Sequence, residues 1–292
     1  MIWPGDALPS PQAASEVNLT PFGARTPFGA RYTRRHPTGS AAHMIEVQGL
    51  GKCYGDFTAV EAVSFQVAAG QIMGLVGPNG AGKTTTLRCL AGIIPATTGH
   101  ARIGGVDIAA DPVAAKRQLA FIPDEPRLFE HLTVEQHLNF VARLYGVADW
   151  QQRAQPLLSE LEMDDKRRLL PSELSRGMKQ KLAIACGLLH APRAVILDEP
   201  LTGLDPYGIR RMKNSMRRLS SEGVAIILSS HLLDLVEEVC THLLILKDGH
   251  KLADGSVAEV RARYMADGET RLEDVFFRAT GESGSPSEDA RA

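Results

Sequence analysis

The sequence predicts an α/β fold, and three features of the chain lead to that prediction. Residues 71–76 have the apolar pattern of a buried strand, and a glycine-rich loop at 77–85 joins them to a helix. Residues 193–198 and 224–228 are two further apolar segments of strand length, each followed by helix-start signals. Helical patterns dominate residues 126–174 and interrupt this alternation. We therefore expect an α/β core with a helical insertion.

The loop at 77–85 has the spacing of a phosphate-binding loop. It reads Gly-Pro-Asn-Gly-Ala-Gly-Lys-Thr-Thr and matches G-x-x-x-x-G-K-[ST] through Gly77, Gly82, Lys83 and Thr84. Glycines let backbone N–H groups wrap around a polyphosphate, and the following helix directs its positive end at it. Lys83 is expected to pair with the β- and γ-phosphates and Thr84 to ligate Mg²⁺. The strand and the helix around the loop disfavour the alternative, a chance glycine-rich turn.

Strand patterns also occur outside these segments. Six short stretches alternate or are apolar, at residues 44–48, 60–67, 101–103, 119–123, 243–247 and 250–252. The last two flank Asp248-Gly249, a dipeptide typical of a two-residue hairpin.

Capping residues mark several helix starts. Thr133–Gln136 is a capping box that opens a helix inside the insertion. Ser175 is expected to cap the next long helix, and Asp205 with Pro206 forms an N-cap followed by proline. Ser230 is expected to cap a helix that starts near His231.

Composition limits the classes of partner. The chain has 292 residues, a net charge of −2 and only 5% aromatic residues, so we expect no nucleic-acid partner. No apolar run approaches the length of a membrane span, so any membrane role is expected to come through a partner. The four cysteines form no C-x-x-C pair, which indicates buried thiols in a reducing cytosol.

The two ends of the chain differ from the rest. Residues 1–43 are rich in Pro, Gly, Ser and Ala and repeat a hexapeptide at 20–25 and 26–31. We expect them to be a disordered extension without a signal peptide, and the natural start to be Met44. Residues 283–292 are expected to be a second disordered tail.

Two acids follow the apolar segment at 193–198. Asp198 ends that segment and is placed to hold Mg²⁺ through water, and Glu199 is placed to polarise an attacking water as general base. Acid pairs at strand ends also serve as structural caps. The presence of a phosphate loop in the same chain favours the catalytic interpretation.

Residues Leu174-Ser-Arg-Gly-Met-Lys-Gln180 resemble the signature motif of ABC ATPases. Other landmarks of that family surround it in the family's order, over about residues 44–281. Residues 77–85 match Walker A, 194–199 match Walker B, and Asp124 falls at the Q-loop position. The segment 271–276 is similar to the end of cassettes from bacterial multidrug and polysaccharide exporters.

The resemblance implies a P-loop NTPase fold of the ABC type, with a mixed sheet, an antiparallel β subdomain and a helical subdomain at about 126–174, within an ATPase domain at 44–282. It implies that two copies bind and hydrolyse MgATP in a head-to-tail dimer. It also implies a separate multi-span permease that the helical subdomain contacts, and a location at the cytoplasmic face of the cell membrane. Export as the direction of transport rests on the family analogy alone.

The resemblance also assigns individual residues. The implied catalytic residues are Glu199, His231 and Lys83. The implied nucleotide-binding residues are Tyr54, Val60, Gly77, Pro78, Asn79, Gly80, Ala81, Gly82, Lys83, Thr84 and Thr85. The signature residues, which would act on the partner's ATP, are Leu174, Ser175, Arg176, Gly177 and Met178, and the D-loop residue is Asp205. The implied magnesium ligands are Thr84, Asp198 and Asp124.

Two residues depart from the family pattern. The Q-loop glutamine is replaced by Asp124, a better hard ligand for Mg²⁺ that cannot donate a hydrogen bond. Asp124 can instead cap the turn between Pro123 and Pro126. Arg176 replaces the first glycine of the usual Gly-Gly; we expect its side chain to be exposed, and a phosphate contact stays open.

Two other functions compete with a transporter subunit. The first is a soluble ABC-type machine that acts on DNA or ribosomes. The stretch from Lys83 to Ser175 is too short for the long coiled coils of the chromosome type, and the chain has one cassette where translation factors have two. The second is a regulatory ATP-binding module with little turnover, which Asp124 and Arg176 suggest.

Overall fold

The computed structural model describes residues 43–264 and 271–281. The predictions for residues 1–42 and 283–292, including the disordered ends, lie outside the described residues. The described part belongs to one compact unit, Ala41–Ala292.

The described strands are β1 (His43–Tyr54), β2 (Phe57–Ala68), β3 (Ile72–Val76), β4 (Thr98–Ile103), β5 (Val106–Asp107), β6 (Leu119–Ile122), β7 (Ala194–Asp198), β8 (Ala225–Ser229), β9 (His242–Lys247) and β10 (His250–Ser256). The described α-helices are α1 (Lys83–Leu90), α2 (Pro112–Arg117), α3 (Val134–Tyr145), α4 (Trp150–Glu160), α5 (Arg176–Leu188), α6 (Pro206–Ser221), α7 (Leu233–Val239), α8 (Val257–Tyr264) and α9 (Leu272–Thr280). Two short 3₁₀ turns, Asp164–Lys166 and Pro171–Glu173, lie between α4 and α5.

The strands form two sheets, in agreement with the predicted α/β class. A four-stranded antiparallel sheet has the order β2-β1-β4-β5. A six-stranded sheet has the order β10-β9-β3-β8-β7-β6, in which only the β9–β10 pair is antiparallel. The predicted mixed sheet and antiparallel β subdomain are therefore confirmed.

The central strands of the six-stranded sheet, β3, β8 and β7, are buried on both faces. Along β3, Ile72 and Val76 pack into the core that contains α3 to α9, whereas Met73 and Leu75 pack into the core that contains α1 and the antiparallel sheet. A strand that is buried on both sides reads as a continuous apolar run, which explains why 71–76 was recognisable in the sequence.

The helical insertion is built from α3, α4 and the two 3₁₀ turns. The Thr133 side chain accepts a hydrogen bond from the Gln136 N–H, and the Gln136 side-chain oxygen accepts one from the Thr133 N–H, so the predicted capping box is present. The predicted N-caps Ser175 and Asp205 also accept hydrogen bonds, from the N–H groups of Met178 and Gly208.

The predicted cap at Ser230 is wrong. Helix α7 begins at Leu233, and the Ser230 hydroxyl accepts a hydrogen bond from the Leu232 N–H at 3.0 Å. Serine can bond to the backbone two residues on and so form a turn in place of a helix start. His231 therefore lies in an open segment between β8 and α7.

The start of the folded part also differs from the prediction by one residue. His43 pairs with Ala68 at the beginning of β1, so it does not belong to the extension that was predicted to be disordered. Strands β1 and β2 are longer than predicted. Register shifts between Val47 and Cys53 interrupt the alternation of the side chains, so the sequence pattern covers only part of each strand. The hairpin at Asp248-Gly249 is confirmed, with φ of 49° and 79° as a type I′ turn requires.

Candidate active site

Three parallel strands end side by side at one edge of the six-stranded sheet. β3 leads into the 77–82 loop, β7 ends at Asp198, and β8 ends at Ser229, which lies beside Asp198 in register. The carboxyl ends of parallel strands are the usual location of a ligand site in such sheets. The residues that the sequence placed in different motifs therefore meet at one place.

The loop at this edge can be formed only with glycine at several positions. Gly80 and Gly82 have φ of 81° and 95°, values that side chains strongly disfavour. A Cβ on Gly82 would lie 2.5 Å from the Ala59 carbonyl oxygen, and one on Gly77 would lie 2.3 Å from the Leu246 carbonyl oxygen. The loop therefore has the glycine-dependent shape that a phosphate cradle needs, with Asn79 and Gly80 exposed at its tip.

Lys83 folds back over this loop. Its Nζ donates hydrogen bonds to the carbonyl oxygens of Gly77 at 2.6 Å and Pro78 at 3.0 Å. Burial lowers the pKa of the Lys83 ammonium group, while the charges of Glu199 and Asp198 act in the opposite direction. The two acids at the sheet edge thus help to keep Lys83 charged and ready for an anionic ligand.

Asp198 is held in place by two hydroxyl groups. Its carboxylate is almost completely buried, and its Oδ1 accepts hydrogen bonds from Ser229 Oγ at 2.7 Å and Thr84 Oγ1 at 3.3 Å. Ser229 Oγ also accepts a hydrogen bond from the Glu199 N–H at 3.0 Å. Ser229 therefore connects both acids, a role that the sequence analysis missed. The available signal was a serine directly after the apolar segment that precedes His231.

Glu199 and His231 are in direct contact. His231 Nδ1 lies 2.8 Å from Glu199 Oε2, and the imidazole is largely exposed whereas the carboxylate is mostly covered. Glu199 adopts φ of 48°, a left-handed conformation that is unfavourable for a glutamate. Strain of this kind is concentrated at functional sites. The predicted pair of catalytic residues is thus brought together by the fold.

The oxygen donors fit a magnesium ion bound together with phosphate. Thr84 and Asp198 supply a hydroxyl and a carboxylate, which are the hard ligands that Mg²⁺ prefers alongside phosphate oxygens and water. In residues 43–264 and 271–281, no three His, Cys, Asp or Glu side chains come together in a group that could hold a metal.

The signature residues surround the start of α5. Ser175 is the N-cap, Leu174 is buried, and a Cβ on Gly177 would lie 2.8 Å from the Gly203 carbonyl oxygen. Within the described residues, no hydrogen bond or ion pair joins Leu174–Met178 to the phosphate loop.

The two residues that depart from the family pattern contact each other. Arg176 Nη2 donates a hydrogen bond to Asp124 Oδ1 at 3.2 Å. Asp124 accordingly has a protein partner that was not foreseen. Arg176 is half exposed, as expected, but it is paired.

Two predicted nucleotide contacts lie beside the loop. Tyr54, at the end of β1, is half exposed, and Lys52 Nζ lies 5.1 Å from its ring centroid. Val60 is completely buried, and its Cγ2 lies 3.2 Å from the Cβ position of Gly82, so it supports the loop from the core. A direct contact of either residue with a nucleotide stays a prediction.

Comparison with known proteins decides the family. The family model described as ABC transporter matches residues 60–202. The ABC-type transporter ATP-binding protein EcsA of Bacillus subtilis is 35% identical over 242 residues, which are 82% of this chain and 97% of that protein. The chain belongs to the ABC transporter family as an ATP-binding subunit.

Other relatives and solved structures agree with this assignment. The SkfA peptide export ATP-binding protein SkfE of Bacillus subtilis is 35% identical to this ATP-binding subunit, over 72% of this chain and 88% of the relative. The Nod factor export ATP-binding protein I of Rhizobium meliloti is 33% identical over 84% of this chain and 73% of the relative. A solved ATP-binding subunit of an ABC transporter superposes with a TM-score of 0.78 at 34% identity, over 81% of this chain and 99% of that structure. Among the described residues of this subunit, no helix is both long and apolar enough to cross a membrane.

Proposed function

We propose that this ABC ATP-binding subunit hydrolyses MgATP in a head-to-tail dimer and thereby drives export through a separate membrane permease. The observation that carries the proposal is the 2.8 Å contact between Glu199 Oε2 and His231 Nδ1. This contact lies at the sheet edge that also presents Lys83 and Asp198.

Binding of ATP begins at the phosphate loop. Lys83 exchanges its two carbonyl acceptors for the β- and γ-phosphate oxygens, which are stronger partners for an ammonium group. The backbone N–H groups of the loop and the start of α1 face the same anion. Tyr54 is exposed enough to stack on the adenine ring.

Thr84 and Asp198 would hold the magnesium ion, which neutralises phosphate charge when it is bound. Asp124, whose Oδ1 accepts the hydrogen bond of Arg176, would add a second carboxylate to this set. An Asp124→Gln variant should then bind metal-free ATP better than the parent and depend less steeply on Mg²⁺. Titration of ATP into both proteins with and without Mg²⁺ tests this, and identical metal dependence would assign Asp124 a structural role.

Hydrolysis uses the exposed side of the Glu199–His231 pair. Glu199 accepts the proton of a water whose oxygen forms a bond to the γ-phosphorus, while the bond from that phosphorus to the bridging oxygen of ADP breaks. His231 orients the water and contacts the γ-phosphate. Ser229 keeps Glu199 in its unfavourable backbone conformation, because its hydroxyl accepts the Glu199 N–H.

A second copy completes each site. Ser175 and the Gly177 N–H would face the γ-phosphate that is bound to the phosphate loop of the other copy. Asp205, whose Oδ1 accepts a hydrogen bond from the Gly208 N–H at 2.6 Å, fixes the start of α6 where the D-loop enters this interface. Two ATP molecules would then join the two copies, and hydrolysis would release them.

The helical subdomain offers a surface for the permease. Phe129 and Phe140 pack edge to face at 5.0 Å, and both are exposed, as is Leu144 one turn after Phe140 on α3. An exposed apolar patch of this kind marks an interaction site. Two relatives are export proteins by name, the Nod factor export ATP-binding protein I and the SkfA peptide export ATP-binding protein SkfE, and this supports export as the direction. The subunit would then sit at the cytoplasmic face of the cell membrane.

Turnover and co-purification test this proposal. The full chain should hydrolyse ATP only with Mg²⁺, and Lys83→Ala should lose both binding and turnover. A tagged chain should co-purify with a multi-span membrane protein, and Phe140→Ser with Leu144→Ser should weaken that capture without changing basal turnover. Absence of Mg²⁺-dependent turnover in the parent would instead support a regulatory ATP-binding module.

A further inference from the structure

The segment that leads from the core into the helical subdomain is attached to the signature helix at two points. Arg176 Nη2 donates to Asp124 Oδ1 at 3.2 Å, and Gln180 Nε2 donates to the Pro123 carbonyl oxygen at 3.2 Å. Arg176 and Gln180 are four residues apart and therefore lie on the same face of α5. Gln180 is buried, so one anchor is internal and the other is at the surface.

Arg176 is also held from a second side. The aliphatic part of its side chain lies over Gly203, where a Cβ would be 3.0 Å from Arg176 Cδ and 3.2 Å from Cγ. Gly203 belongs to the segment between β7 and α6, just before Asp205. Three segments thus meet at Arg176, whose side chain makes these contacts although it is 53% exposed.

The electrostatics of this pair indicate a role other than folding stability. Arg176 is the first residue of α5, and a cation there is opposed by the positive end of the helix dipole. The Asp124 carboxylate offsets that repulsion. Ion pairs between half-exposed side chains contribute little to the free energy of unfolding. A pair that joins two motif positions and adds little stability is better explained by the geometry that it imposes.

We propose that Asp124 and Arg176 form a positioning pair that sets how Ser175 and Gly177 are presented to the ATP bound by a second copy. The proposal rests on the head-to-tail dimer proposed above. It links the loop beside one nucleotide site to the signature residues that complete the other. A glutamine and a glycine at these two positions would have no charges to pair, so the contact depends on both departures from the family pattern.

A double-mutant cycle on the full chain tests the pair. All variants of the cycle are made in the Glu199→Gln chain, which is expected to retain bound ATP and serves as the parent of this experiment. Dimer formation is measured by sedimentation at MgATP concentrations that saturate each protein. Asp124→Asn and Arg176→Gln should each weaken ATP-driven dimerisation about tenfold, and the double variant should also lose about tenfold, because the second change removes nothing further. Arg176→Lys should restore part of the loss, since it keeps the charge. Arg117→Gln removes an exposed arginine on α2 and should leave dimerisation at the parent level.

Each other outcome contradicts the pair. If the two tenfold losses of dimerisation multiply to about a hundredfold in the double variant, Asp124 and Arg176 act on dimerisation independently of each other. A loss with Arg176→Gln alone would show that Arg176 acts directly on phosphate without Asp124. Parent-level dimerisation of both single variants would show that the contact has no role. A parent that does not dimerise at all would overturn the head-to-tail assembly itself, which separates that failure from failure of the pair.

Discussion

Ser229 Oγ lies 2.7 Å from Asp198 Oδ1 and 3.0 Å from the Glu199 nitrogen. One hydroxyl group therefore donates to the carboxylate proposed to hold magnesium and accepts from the backbone of the proposed general base. The Ser229 hydroxyl and the Asp198 carboxylate are both buried, so water does not replace the hydrogen bond between them if one of the two groups is removed.

Ser229→Ala should consequently affect both stability and catalysis. The unfolding free energy should fall by about 1–3 kcal/mol, because the buried Asp198 carboxylate loses a hydrogen bond. The Glu199 N–H would keep only the Ser229 carbonyl oxygen, at 3.3 Å. Turnover at saturating ATP should fall about tenfold or more, which corresponds to roughly 1.4 kcal/mol in the barrier. Chemical denaturation and a phosphate-release assay measure the two effects.

The matched control for this variant is Ser221→Ala. The Ser221 hydroxyl donates to the Arg218 carbonyl oxygen at the exposed end of α6, so its loss should leave turnover unchanged. Equal turnover in Ser229→Ala and the parent would show that Ser229 does not position the acids.

Stability should decrease in mild acid because of a partly buried histidine, His190. The His190 ring stacks on Tyr145 at a centroid distance of 3.9 Å, and burial lowers the pKa of His190 to about 4 from 6.5. The unfolded chain then binds this proton more readily than the folded chain. Stability from this residue is fully present above pH 6.5 and is progressively lost as the pH falls from 6.5 towards 4.

His190→Phe keeps an aromatic ring against Tyr145 and removes the titration. Its melting temperature should therefore decline less steeply than that of the parent between pH 6.5 and 4. His131→Phe, at an exposed position, should keep the parent slope. If the His190 variant and the parent show the same slope, the acid sensitivity has another source.

A chain that begins at Met44 should fold and hydrolyse ATP like the full chain. The truncation removes residues 1–43. The first described residue, His43, is among them, and its strand partner is Ala68 at the far end of β2. Edge pairs at strand ends contribute little, since such ends fray readily. A clear fall in melting temperature or turnover after truncation would show that the removed segment supports the fold.

The sequence predicted the parts of this fold that depend on local chemistry. Thr133, Ser175 and Asp205 cap their helices as expected, because the N-cap hydrogen bond is made within three residues. The phosphate loop was predictable for the same reason, since Gly80 and Gly82 meet a backbone requirement that glycine alone satisfies easily. Helix α2, which the sequence analysis did not identify, carries a similar Asp-Pro signal at Asp111.

The missed features depend on contacts between distant segments. The Asp124–Arg176 pair joins residues 52 positions apart, and Ser229 reaches Asp198 across 31 positions. Nothing in the local pattern of either segment indicates the other. Ser230 failed as a predicted cap because its hydroxyl has a closer backbone partner, the Leu232 N–H.

The most direct test of the proposed mechanism is the turnover of Glu199→Gln. The amide keeps the size of the side chain and its place beside His231 Nδ1, but it cannot accept the proton of the attacking water. We expect ATP binding to remain, turnover to fall on the order of 10²–10⁴-fold, and an ATP-bound dimer to accumulate. Turnover of Glu199→Gln equal to that of the parent would contradict the assignment of Glu199 as the general base.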